Sequence, residues 1–151
     1  MHITLLRHGT RNFGIGDAPL NAIGLKEAEV LADNGEFAQT THIIASPKKR
    51  AQMTVGPLAL KLKIQLQSWP DLDQQRSDEN HEHFARRVRQ SLDKVEQSFG
   101  DSERILICSH SDWLTLAVDS MPSAGMDSED IFFQCAEFRH FLLEDGLWKL
   151  T

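Results

Sequence analysis

Cysteine is nearly absent: Cys108 and Cys135 are the only two in 151 residues. Two thiols make no disulfide framework, and neither has a second one at metal-binding spacing. Long apolar runs are missing as well, so nothing approaches the roughly 20 residues that cross a bilayer. The apolar stretch at the amino terminus, Ile3 to Leu6, is too short for a secretory signal. A reducing, cytoplasmic location is expected, with Cys108, inside Ile105-Leu106-Ile107-Cys108, as a buried thiol. No repeat, low-complexity tract or Pro/Gly/Ser-rich linker divides the chain, and its length suits one core, so residues 1–151 are expected to form a single domain. Excess positive charge is lacking too: 22 acids against 16 bases leave a formal charge of -6. That argues against a nucleic-acid backbone or an anionic membrane as partner. A composition 40% hydrophobic and 25% charged excludes disorder and collagen-like architectures.

Acidic residues are also missing locally. Between Phe37 and Pro70 there are none, whereas Lys48, Lys49, Arg50, Lys61 and Lys63 are basic, and the first sixteen residues hold Arg7 and Arg11 without a carboxylate. An anionic ligand fits between these segments; a solvated basic surface is the alternative.

Short apolar runs alternate with helical patterns. His2 to Leu6 reads as a buried strand, and Asn21 caps a helix carrying Leu25, Ala28 and Leu31 on one face, closed by Asn34-Gly35. His42 to Ala45 is a second strand, Lys48 to Leu62 a helix disturbed at Gly56-Pro57, and Ile64 to Leu66 a third strand before a polar loop from Ser68 to Asp78. Phe84, Val88, Leu92, Val95 and Phe99 recur at helical spacing from about Glu79, and Gly100 stops them. Arg104 to Cys108 is a fourth strand, Asp112 to Met121 a helix, and Ala136 to Leu143 turns at Asp145-Gly146 into Leu147 to Leu150. The expected class is α/β with three layers, a mainly parallel sheet with helices on both faces and an antiparallel carboxy-terminal hairpin.

In such sheets ligands bind beyond the carboxyl ends of the strands. Strand one runs into Arg7-His8-Gly9-Thr10, strand two into Ser46-Pro47-Lys48-Lys49-Arg50, and strand four into Ser109-His110-Ser111. A lone His or Arg is usually surface or core decoration; two of each at strand ends in one sheet is a pattern. Phosphoryl transfer suits the set. Guanidinium forks bind phosphate oxygens, a neutral imidazole attacks phosphorus, and a second, protonated imidazole stabilises the equatorial charge. Nothing in this chemistry requires a metal or another cofactor. Gly14-Ile15-Gly16 is not a dinucleotide fingerprint, because Asp17-Ala18-Pro19 follows where the third glycine and helix should come, and no phosphate-cradling G-x-x-x-x-G-K-[ST] loop exists. His81 and His83 splay to different helix faces, so a solvated helix start outweighs a metal site there.

With these residues in view, the chain resembles the histidine phosphatase superfamily, the phosphoglycerate mutase-like group, over nearly its whole length. Leu5-Leu6-Arg7-His8-Gly9 is similar to its R-H-G turn, Asp17 to Gly24 to its D-x-P-L-T-x-x-G segment, Ser46 to Thr54 to S-P-x-x-R-A-x-x-T, and Ile107 to His110 to its second histidine strand. The resemblance makes His8 the phosphorylated nucleophile, with Arg7, Arg50 and His110 completing the phosphate pocket. Thr10, Asn12 and the Ser111 amide lie close enough in sequence to add contacts, although the family's pocket Asn usually lies further from the glycine. The departure is the general acid: Leu72-Asp73-Gln74 puts glutamine where many members have Glu in L-x-E. Asp71, Asp73, Asp78, Glu79 and Glu82 are nearby candidates, although the segment from Ser77 through Phe84 and Arg87 looks more like a G-E-S helix entry.

Without an acid, alkoxide leaving groups suffer most, and phosphorylated imidazole or aryl oxygen least. The chain is also short, like the family's compact phosphohistidine phosphatases. The expected function is a metal-independent phosphatase acting on a phosphorylated protein, protein phosphohistidine in particular, or on a small phosphorylated metabolite. A phosphate-binding module with little catalysis and a mutase are the alternatives.

Overall fold

Six strands, four α-helices and two single-turn 3-10 helices, Gly35–Phe37 and Pro70–Leu72, make up the regular structure of a computed structural model that describes every residue except 15, 124–126, 128 and 130. Ile15 of the Gly14-Ile15-Gly16 segment lies outside the described residues. In chain order the elements are β1 (His2–Arg7), α1 (Ala22–Asp33), β2 (His42–Ala45), α2 (Lys49–Leu62), β3 (Leu66–Ser68), α3 (His81–Ser98), β4 (Arg104–Ser109), α4 (Ser111–Ser120), β5 (Phe138–Glu144) and β6 (Leu147–Leu150). The strands form one sheet in the order β3-β2-β4-β1-β5-β6. β1, β2, β3 and β4 run parallel, while β5 joins β1 antiparallel and β6 returns against β5. Asp145 and Gly146 both take positive φ, 52° and 72°, as a tight two-residue hairpin requires.

The pleat divides the apolar residues between two cores. Ile3, Leu5, Ile105 and Ile107 meet Phe84, Val88, Leu92 and Val95 of α3 and Trp113 and Leu114 of α4. Leu6, Leu106 and Cys108 face the other way, onto Leu31 of α1 and Ala51, Val55 and Leu58 of α2. The architecture is therefore the expected three-layer α/β one, a mainly parallel sheet with helices on both faces and an antiparallel carboxy-terminal hairpin. Burial pushes the Cys108 thiol far up, so it is an inert core residue. Among the described residues no helix is long and apolar enough to cross a membrane.

Three local expectations are corrected. Leu25 is 47% exposed; the buried face of α1 is Gly24, Ala28 and Leu31, because the start of the helix lies against the loop after β1. A Cβ on Gly24 would sit 2.1 Å from the Thr10 carbonyl oxygen, so only glycine permits that approach. α2 runs unbroken through Pro57. The proline withholds one donor, and burial of Val55, Leu58 and Ala59 on either side of it holds the helix together. β3 begins at Leu66 because Ile64 is spent closing α2: Lys63 turns left-handed at φ 56°, and the Lys63 and Ile64 amides bond the Leu60 and Ala59 carbonyls.

Candidate active site

β1, β2 and β4 end side by side, so the segments leaving them share one crevice. A cavity of about 460 Å³ there is lined by Arg7, His8, Thr10, Arg11, Phe13, Arg50, Gln74, His110, Ser111, Asp112 and Cys135. Six of the seven residues singled out from the sequence are thereby brought together. Asn12 is not among them: it is exposed, and its side-chain oxygen accepts from Asn21 Nδ2 at 3.1 Å. The Thr10 side chain, though at the cavity, is committed elsewhere.

His8 is 6% exposed. Its Nδ1–H donates to the Gly9 carbonyl at 2.8 Å, which puts the ring's lone pair on Nε2, where it accepts from Arg50 Nε at 3.2 Å until a phosphoryl group draws the guanidinium away. Burial above all, and then the charges of Arg50, Arg7 and Arg11, pull the His8 pKa down to about 4, against the raising effect of the Gly9 bond. His8 is thus neutral at pH 7, the form that can attack. A carbon-13 NMR titration of the free protein should show the His8 ring protonating near pH 4. The shift has a stability consequence, since the unfolded chain's imidazole binds its proton near the ordinary 6.5. A depressed histidine therefore stabilises the fold above that value and loses its contribution as pH falls from about 6.5 towards 4. A His8 midpoint above 6 would contradict the buried geometry.

Arg50 ties the site together. Its Nη2 donates to Gln74 Oε1 at 2.5 Å and lies 3.1 Å from His110 Nδ1. With Nδ1 accepting from the guanidinium, His110 carries its proton on Nε2 and donates to Ser46 Oγ at 2.7 Å. Desolvation, followed by the charges of Arg50, His8, Lys48 and Arg11, lowers the His110 pKa to about 2. The protonated His110 expected from sequence is therefore not the resting form. A phosphate dianion is what could supply the negative charge to protonate it, because Asp73, the nearest carboxylate at 3.7 Å from Nε2, also faces Lys48. Arg7 donates from Nη1 to the Phe133 carbonyl at 2.7 Å, while its Nε is buried without a hydrogen-bond partner. Such an orphan donor suits a ligand oxygen.

Supporting contacts hold the turn after β1. The Gly9 amide donates to Thr54 Oγ1 at 2.8 Å, and that hydroxyl donates to the Arg50 carbonyl at 2.6 Å, which fixes His8 relative to Arg50. Glu27 clamps the Thr10 amide and hydroxyl at 2.7 and 2.9 Å, and a Cβ on Gly9 would come within 3.0 Å of the same carboxylate. Sequence reasoning missed Glu27; its signal was Gly24-x-x-Glu27, one helical turn past the glycine packed on Thr10.

None of the five carboxylates weighed as general acid lines the cavity. Glu79 is bound bidentately by Arg87 at 2.8 and 2.7 Å, which holds its pKa near 2. Glu82 pairs with Arg86 and Asp71 with Lys94. Arg87 also donates to the Asp71, Asp73 and Gln74 carbonyls, so the loop presenting Gln74 is anchored to α3. Asp112 is the one carboxylate among the lining residues, and its oxygens accept the Gln75 and Trp113 amides.

Residues 3–77 match the histidine phosphatase superfamily (branch 1). No curated protein sequence matches. Solved structures do: the alpha-ribazole phosphatase of Shigella flexneri has a TM-score of 0.82 at 18% identity, covering 100% of this chain and 95% of that one. The mycobacterial glucosyl-3-phosphoglycerate phosphatase has a TM-score of 0.82 at 14% identity, with 99% and 96% covered. The Entamoeba histolytica phosphoserine phosphatase in complex with 3-phosphoglyceric acid scores 0.81 at 14%, with 99% and 94% covered. At such identities the likeness is one of fold.

Proposed function

We propose that this chain, a member of the histidine phosphatase superfamily with the phosphoglycerate mutase-like fold, is a metal-independent phosphatase that works through a phosphohistidine on His8. The observation that carries the reading is a neutral His8 whose Nδ1 is fixed by Gly9 and whose Nε2 faces Arg50 inside the strand-end cavity. In the first step Nε2 forms a bond to phosphorus as the bond to the leaving group breaks. Water then attacks the same phosphorus, releases inorganic phosphate and restores the imidazole. Arg50 and the unpartnered Nε–H of Arg7 hold the transferring oxygens, and His110 takes up a proton as the dianion arrives, offsetting charge that builds on the equatorial oxygens.

The leaving group distinguishes substrates. Gln74 stands where an acid would be, and an amide cannot give up a proton, so groups that depart without help are favoured: the imidazole of a phosphohistidine or the oxygen of an aryl ester. Protein phosphohistidine is the substrate class most consistent with that site. A small phosphorylated metabolite is the second reading, favoured by the substrates in the names of the three proteins of like fold.

The test is phosphate release from a phosphohistidine peptide, an aryl phosphate and a panel of alkyl phosphates, with and without a chelator. Turnover is expected to survive the chelator and to rank phosphohistidine and aryl ester above alkyl esters. Abolition by the chelator would refute the metal-independent mechanism. Tight phosphopeptide binding with no release from any substrate would make the protein a binding module instead.

A further inference from the structure

The cavity is lined by three arginines, and two of them are engaged. Arg7 bonds the Phe133 carbonyl, and Arg50 bonds His8, Gln74 and His110. The side chain of Arg11 makes no hydrogen bond or ion pair with any described residue, although it is only partly exposed and lines the same cavity. Its backbone is pinned by a bridge to Leu20, beside the Thr10 that Glu27 clamps, so the guanidinium is presented from an anchored position. The one carboxylate in the lining, Asp112, has its oxygens on backbone amides and does not pair with it. Arg11 is nevertheless close enough for its charge to lower the pKa values of His8, His110 and Arg50. The fully exposed Phe13 ring completes that outer wall.

We propose that Arg11 forms a second anion subsite, so that the substrate carries a further anionic group, carboxylate or phosphate, on the part that leaves. A single phosphoryl group is already met by Arg7, His8, Arg50 and His110, and the cavity extends past them to Arg11 and Phe13. A guanidinium matches either anion through paired N–H donors. A solvated surface arginine would instead be indifferent to the second group. The proposal rests on the phosphatase reading only for which end of the substrate enters first.

Non-hydrolysable probes separate the two ideas. Calorimetry would compare methylphosphonate, phosphonoacetate and methylenediphosphonate on the wild-type protein and on Arg11→Gln, whose folding is checked by thermal melting. At least one two-anion probe should bind the wild type about tenfold or more tightly than methylphosphonate, the worth of one charge-assisted hydrogen bond. That advantage should disappear in Arg11→Gln, and whichever probe gains more identifies the second group. Equal affinities in the wild type would overturn the subsite, as would an advantage that survives the substitution. So would an equal loss for methylphosphonate, which would place Arg11 on the transferring phosphoryl group. Turnover is read separately: preference without phosphate release keeps the subsite and refutes the phosphatase, and release without preference does the reverse.

Discussion

Replacing His8 with alanine is expected to lower kcat on every substrate by about 10⁴-fold or more, because the covalent route loses the atom that attacks phosphorus. The fold should survive. His8 is buried, but its bonds run to a neighbouring carbonyl and to Arg50, and deleting the ring also relieves the burial of an imidazole among arginines. The thermal midpoint should therefore move by only a few degrees, in keeping with a cost of about 1–2 kcal/mol. Rapid quenching of the wild type with labelled substrate should trap an acid-labile, base-stable phosphoryl group on His8, and none should form in His8→Ala. Added imidazole should restore part of the rate by occupying the vacated space as an external nucleophile. A variant that turns over at the wild-type rate with its fold intact would sink the mechanism.

The second large effect concerns the leaving group. Gln74 is held by its contact with Arg50, and its loop is anchored by Arg87, by Ser109 Oγ on the Leu72 carbonyl at 2.7 Å and by Trp113 Nε1 on the Asp71 carbonyl at 3.0 Å. Gln74→Glu therefore places a carboxyl group at the cavity without moving the backbone. When a phosphate dianion draws Arg50 to itself and adds negative charge nearby, that carboxyl is pushed towards its protonated form. The rate on alkyl phosphates should rise on the order of a hundredfold, the low end of what general acid catalysis supplies. Phosphohistidine and aryl phosphate should gain little, so the selectivity between the classes narrows. A basic limb should also appear in the pH profile of kcat, marking the new acid. Unchanged alkyl ester rates with no new limb would show that position 74 does not face the departing group.

The same residues show what could be foreseen. Alternation of apolar and helical patterns located every strand and helix to within a few residues, and Asn21 caps α1 through a bond from the Gly24 amide at 3.0 Å, as its position before the periodic run implied. That Arg7, His8, Arg50 and His110 share one cavity was legible because Arg7 ends β1, His8 and His110 follow β1 and β4, and Arg50 lies in the first turn of the helix that leaves β2; strand ends in a parallel sheet converge by topology alone. Leu25 misled because a helix face facing a loop can be filled by glycine, which no apolar periodicity reports.

What the chain's order determined by itself was local: strand, helix, cap and hairpin, and hence which four side chains stand at one edge of the sheet. Tertiary structure alone decided the rest. It turned Asn12 to Asn21, engaged Glu79 with Arg87, closed Glu27 over Thr10, and buried His110 beside Arg50 so that it rests neutral. The physical reason is that a side chain's partner and charge state depend on burial and on groups brought close by the fold from distant parts of the chain. Residue type and spacing register neither of these.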